Sequence, residues 1–89
     1  MIICAAIKDT RTGDVFCGVR HGDIYSQLHA ASHRIPHDKA IEGFVDSRNN
    51  FYNRHEAFMW AQQIGQLPAT TIQYKREKGE TDLYSEDLY

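Results

Sequence analysis

The sequence predicts a small α+β domain, an antiparallel sheet built from an N-terminal hairpin and a central hairpin and packed with two helices. Three stretches carry that expectation. Met1–Lys8 is almost continuously apolar and is followed by turn chemistry and a second short apolar run. Gly43–Tyr52 reads as two extended pieces around Arg48-Asn49-Asn50, where asparagine favours a tight turn. Asn53-x-x-Glu56 is a capping box leading into an amphipathic run that stops at Gly65.

Taken in order, Met1–Lys8 suits a central strand buried on both faces. Asp9–Asp14 is a turn, and Val15–Val19 returns beside the first strand. A first helix opens near Asp23 as N-cap, with Ile24, Leu28 and Ala31 facing inward. Residues His37–Glu42 read as a charged connector to the central hairpin. The second helix starts at Arg54, and Ala57, Trp60, Ala61 and Ile64, widened by Phe58, follow the spacing of one buried face. Beyond Leu67-Pro68, Thr70–Tyr74 alternates like a strand, and Lys75–Asp82 reads as an exposed, mobile loop. The tail, residues 83–89, holds two leucines and two tyrosines and is expected to dock on the domain or on a second subunit.

A chain of 89 residues makes one domain, residues 1–89, whose core is small enough that self-association would add to it. A formal charge of −2 disfavours a polymeric nucleic acid held through its phosphates, but not a small anionic ligand. No apolar run approaches the roughly 20 residues of a membrane span, so a soluble, cytoplasmic protein is expected. Cys4 and Cys17 lack C-x-x-C spacing and read as reduced thiols, although hairpin pairing would set their sulfurs on neighbouring strands and leaves a disulfide open.

Candidate chemistry gathers at two helix starts. Arg20-His21 lies at a strand-to-helix junction, and Arg54 stands at the start of the second helix, where free backbone N–H groups suit a phosphate or carboxylate. Both arginines are expected to face solvent. The competing reading is an arginine paired with a carboxylate and a histidine satisfied by a carbonyl. Aromatic faces at Phe44, Phe51 or Tyr52 could stack an adenine, or could simply be core. His29, His33 and His37 recur every four residues, but Pro36 ends the helix before His37 and leaves at most an i, i+4 pair. No metal site, cofactor or catalytic constellation is predicted.

The opening Ile-Ile-Cys-Ala-Ala-Ile-Lys, the Gly18–Asp23 junction, the Gly43–Ala57 block, Gly65-Gln66 and the ending Leu83–Tyr89 together resemble phage anti-Thoeris proteins of the first kind. Those proteins act as sponges that sequester cyclic ADP-ribose isomers made by bacterial TIR-domain immune enzymes, without cleaving them. The resemblance implies a homo-oligomer with nucleotide pockets near subunit interfaces, acting in the cytoplasm of the infected host. It places ligand contacts at Arg20, His21, Phe51, Asn53 and Arg54. This chain is shorter at both ends than the longer members, which puts any contact made through extra segments in doubt. A host-takeover protein that inhibits a bacterial partner, through the acidic Glu86-Asp87 tail for instance, is the alternative. A histidine-dependent metal hydrolase ranks third, because it lacks a ligand set and a general base.

Overall fold

The computed structural model describes residues 1–88. Its elements are β1 (Ile2–Asp9), β2 (Val15–Gly18), α1 (His21–Ala30), a 3-10 turn (His37–Lys39), β3 (Ala40–Asp46), β4 (Phe51–Asn53), α2 (Arg54–Gln63), α3 (Ala69–Lys78) and a second 3-10 turn (Ser85–Asp87). The four strands form one antiparallel sheet in the order β2-β1-β3-β4. β1 is therefore central, as its apolar run predicts, and pairs with both β2 and the sequence-distant β3. The fold is α+β, a single small domain.

Alternation sorts the sheet into two faces. Ala5, Ile7 and Phe44 point to the side where Ile24 and Leu28 of α1 and Ala57, Phe58 and Ala61 of α2 complete the core. Leu67 and Leu83 are buried in the same cluster. Gly43 is required by close packing between β3 and β4. A Cβ there would collide with the Tyr52 carbonyl and come within 2.8 Å of the Phe51 ring.

α2 starts where its capping box predicts. Asn53 Oδ1 accepts from Glu56 N at 2.8 Å, and Glu56 Oε1 accepts from Asn53 N at 3.0 Å. Gly65, at φ 74°, closes the helix in the left-handed conformation. Ile64, expected on the buried face, is instead exposed.

α1 departs from expectation at both ends. It begins at His21, with Arg20 rather than Asp23 at the N-cap. It ends at Ala30, where Ser32 takes φ 57° and the N–H of His33 bonds the Leu28 carbonyl at 2.8 Å. This is a Schellman closure with serine in place of glycine. Ala31 is consequently exposed, and His33 leaves the helix on which it was expected to pair with His29. The connector 37–42 is likewise shorter than expected, since β3 begins at Ala40.

The largest correction lies at 69–78, where alternation suggested a strand followed by a mobile loop and the chain forms α3. Pro68 at its N-cap and Gly79 at φ 69° beyond its end are the proline-start, glycine-stop signals that the alternation obscured. Lys75 decides the matter. Its side chain is only 3% exposed and holds Asp87 Oδ2 at 2.8 Å and the Asp82 carbonyl at 3.0 Å. A helix aims Lys75 and Ile72 at the body of the protein together, whereas a loop would leave the ammonium in water. In the segment 83–89, Leu83 is fully buried and Ser85 nearly so, and Tyr89 lies outside the described residues.

Two outcomes are expected from this packing. Asn53→Ala should lower unfolding free energy by about 1 kcal/mol in urea titration, through loss of the cap. Lys75→Ala should cost about 3 kcal/mol or more, because it strands the Asp87 carboxylate without its cation. It should also render the 83–88 segment sensitive to limited proteolysis.

Candidate functional site

The starts of α1 and α2 meet at one polar cluster. His21, the first residue of α1, is buried and lies edge-on to Phe44, with ring centroids 5.3 Å apart. Its Nε2 is 2.8 Å from the Gly43 carbonyl. A carbonyl can only accept, so Nε2 carries the hydrogen and Nδ1 is the acceptor. Nδ1 in turn lies 3.3 Å from Arg54 Nη2 and 3.5 Å from Ser85 Oγ. Burial, reinforced by the positive charge of Arg54, holds the His21 pKa below its ordinary value. The neutral ring is thus fixed in one tautomer.

Arg54, the first residue of α2, donates through Nη2 to Glu42 Oε1 at 2.7 Å and through Nη1 to the Leu83 carbonyl at 3.1 Å. Its own carbonyl accepts from Leu83 N at 3.0 Å. The guanidinium also lies 5.2 Å from the centre of the Tyr84 ring. Glu42 accepts a further bond from Tyr25 Oη at 3.0 Å. Burial works against the Glu42 charge, but the bonds from Arg54 and Tyr25 and the Arg54 charge together hold its pKa below the usual value. Burial and the same carboxylate push the Tyr25 hydroxyl up to about 12.

The expected ligand residues therefore separate. His21 and Arg54 are in contact. Arg54 does not face solvent freely as expected, since its side chain is 24% exposed and engaged by Glu42 and Leu83. Arg20 is exposed at the α1 N-cap, and no hydrogen bond or ion pair occupies its side chain among the described residues. Asn53 spends its side chain on the cap. Phe51 pairs with Val45 and so projects to the sheet face opposite Phe44, where Lys8 Nζ lies 5.9 Å from its ring.

Sequence reasoning missed Glu42, Tyr25, Tyr84 and Ser85 as members of this cluster. Nothing local marks them, because their partners lie 12 to 64 positions away. A second saturated carboxylate sits at the β3–β4 turn. Asp46 Oδ1 accepts from Arg48 N and Asn50 N at 2.9 Å, and Oδ2 accepts from Tyr52 Oη at 2.9 Å and Asn50 Nδ2 at 3.1 Å. Despite its burial these bonds hold its pKa far below the ordinary range. Cys4 and Cys17 are both free thiols. Burial, and after it the neighbouring Cys17, raises the Cys4 pKa. No helix among the described residues is long and apolar enough to cross a membrane.

Fold and cluster together define a small α+β protein whose two helix starts are locked to its C-terminal segment through one arginine. A family model described as Phage T4 y16D protein matches residues 1–89, and the chain belongs to that family of phage proteins. No curated protein and no solved structure matches the sequence.

The buried neutral imidazole makes stability pH-dependent in a defined direction. The unfolded chain protonates His21 near 6.5, and the folded chain does so at lower pH. Between the two values the unfolded state binds more protons, so stability is complete above about 6.5 and falls as pH drops below it. Asp9, held at about 2 chiefly by its Arg11 hydrogen bond, loses its own contribution only below its ordinary 3.8. Thermal melts of His21→Gln should therefore lack the slope just below neutrality while keeping the acid one. Arg54→Ala should cost about 1.5 to 3 kcal/mol through lost charge-assisted bonds, whereas Arg20→Ala should stay within about 0.5 kcal/mol of the parent.

Proposed function

We propose that this phage protein is a non-catalytic anti-defence protein that binds and sequesters a small cyclic nucleotide immune signal, a cyclic ADP-ribose isomer or a related compound. The observation that carries the reading is the 3.3 Å contact between His21 and Arg54. It draws the starts of two ten-residue helices together beside an exposed arginine with no partner among the described residues. Helix starts present free N–H groups and a partial positive charge, and arginine adds a two-pronged donor that fits phosphate oxygens. Arg20 supplies the first phosphate contact. Arg54 supplies a second by exchanging Glu42 for the ligand, and His21 orients it. The motif resemblance to the anti-Thoeris sponges and the membership of a phage family support the same reading.

Self-association belongs to this proposal. The sheet face opposite the helices bears Val15, Ile41 and half-buried Phe51, and a two-fold dimer is the default arrangement for a domain this small.

The test is recovery of the ligand. The purified protein is incubated with a panel of cyclic nucleotides and ADP-ribose isomers, washed and heat-denatured, and the released compound is identified. Intact return supports sequestration, a changed product establishes catalysis, and no uptake favours inhibition of a bacterial protein. Calorimetric titration of Arg20→Ala should then show binding weakened by roughly 10- to 150-fold at unchanged melting temperature. Light scattering at micromolar concentration should report a dimer or a multiple of one, and a monomer would remove the self-association.

A further inference from the structure

His29, His33 and His37 form the one sequence motif that the Arg54 cluster leaves unused. α1 carries His29, the left-handed turn at Ser32 places His33, and Pro36 (φ −57°, ψ 144°) delivers His37 to a 3-10 turn. Three different pieces of backbone thus present the three imidazoles, and they still line a single cleft of about 530 Å³. Among the described residues no group of three or more His, Cys, Asp or Glu is arranged to hold a metal ion. All three histidines are lining residues of that cleft.

The remaining surfaces of the cleft specify what fits. Leu28, Ile35 and Pro36 supply apolar lining. Tyr25 and His37 form an aromatic wall, with centroids 6.3 Å apart and planes tilted by 35°. The Tyr25 ring is held in place because its hydroxyl is anchored on Glu42 at 3.0 Å. Arg34 supplies the charge. Its carbonyl accepts from Arg11 Nη2 at 3.1 Å, which pins the loop, while no ion pair engages its exposed side chain among the described residues. Arg11 itself is spent on Asp9. A volume in the range of small-molecule sites, an apolar and aromatic lining, and a few convergent polar groups are the ordinary composition of a ligand pocket.

We propose that this cleft binds a small planar aromatic anion, a purine nucleoside monophosphate in the first instance, with the base against the Tyr25–His37 wall and the phosphate at Arg34. The site shares Tyr25 with the Arg54 cluster through the Glu42 carboxylate, but Arg34 and His37, which complete it, lie outside that cluster, and neither Arg20 nor Arg54 lines the cleft. Failure of either proposal leaves the other standing.

The experiment titrates the full chain with adenosine monophosphate near neutral pH, following the imidazole carbon-bound proton signals of His29, His33 and His37 by NMR. All three should shift saturably. Arg34→Glu, at an exposed position that leaves the fold intact, should weaken binding by about tenfold or more, as expected for one charge-assisted contact. Arg20→Ala should leave it unchanged. Adenosine and inorganic phosphate should each bind more weakly than the nucleotide. The proposal is overturned if the nucleotide produces no saturable shift, if inorganic phosphate alone matches it, if adenosine matches it, or if Arg34→Glu binds as the parent does.

Discussion

Arg54 grips Leu83 from two sides, accepting its N–H with the backbone carbonyl and donating to its carbonyl through the guanidinium. The rest of the molecule depends on that clamp. Residue 83 belongs to a segment without a strand or α-helix of its own, and its backbone groups would otherwise be buried without partners. Because one residue satisfies both, the leucine side chain can be fully buried in the core. The guanidinium's other prong reaches Glu42 on β3, so a single cation ties the second helix, the sheet and the C-terminal segment together.

Lys75 makes the complementary attachment from α3. A buried ammonium is costly unless its charge and its donors are matched, and here Asp87, the Asp82 carbonyl and the Tyr84 ring at 4.7 Å surround it. Tyr84 consequently lies against two cations, Arg54 and Lys75, each interacting with the electron-rich ring. A domain of this size buries a modest apolar core, and charged staples of this kind extend order into a segment that hydrophobic contact alone would hold weakly. The same economy appears at Asp9 and Asp46, each a buried carboxylate saturated by donors at a turn.

Neutral His21 links this architecture to the proposed chemistry. Fixed by the Gly43 carbonyl, it offers its other nitrogen to Arg54, so its protonation state bears on stability and on the geometry of the helix starts alike. In the proposed complex a phosphate would meet the Arg54 guanidinium already oriented by Glu42, Leu83 and His21, so this contact would exchange one carboxylate for another anion without first ordering the Arg54 side chain.

By itself the sequence determined the features whose causes are local. The apolar run of β1, the Asn53–Glu56 box, the left-handed stop at Gly65 and the turn at Asn49 each depend on residues within a few positions, and each is found where it was read. Tertiary structure decided α3 between two conflicting local signals, the alternation of Thr70–Tyr74 and the Pro68 and Gly79 boundaries, because only a helix brings Ile72 and Lys75 together onto the core and the Asp87 carboxylate. It likewise decided the environment of the candidate site. Arg20, His21 and Arg54 were legible as basic residues at helix starts, but whether each met water or a partner depended on Glu42, Leu83 and Ser85, distant in sequence and unmarked by any motif. Local propensity is a property of neighbouring residues, whereas satisfaction of a buried charge is a property of whatever the folded chain brings within about 3 Å of it.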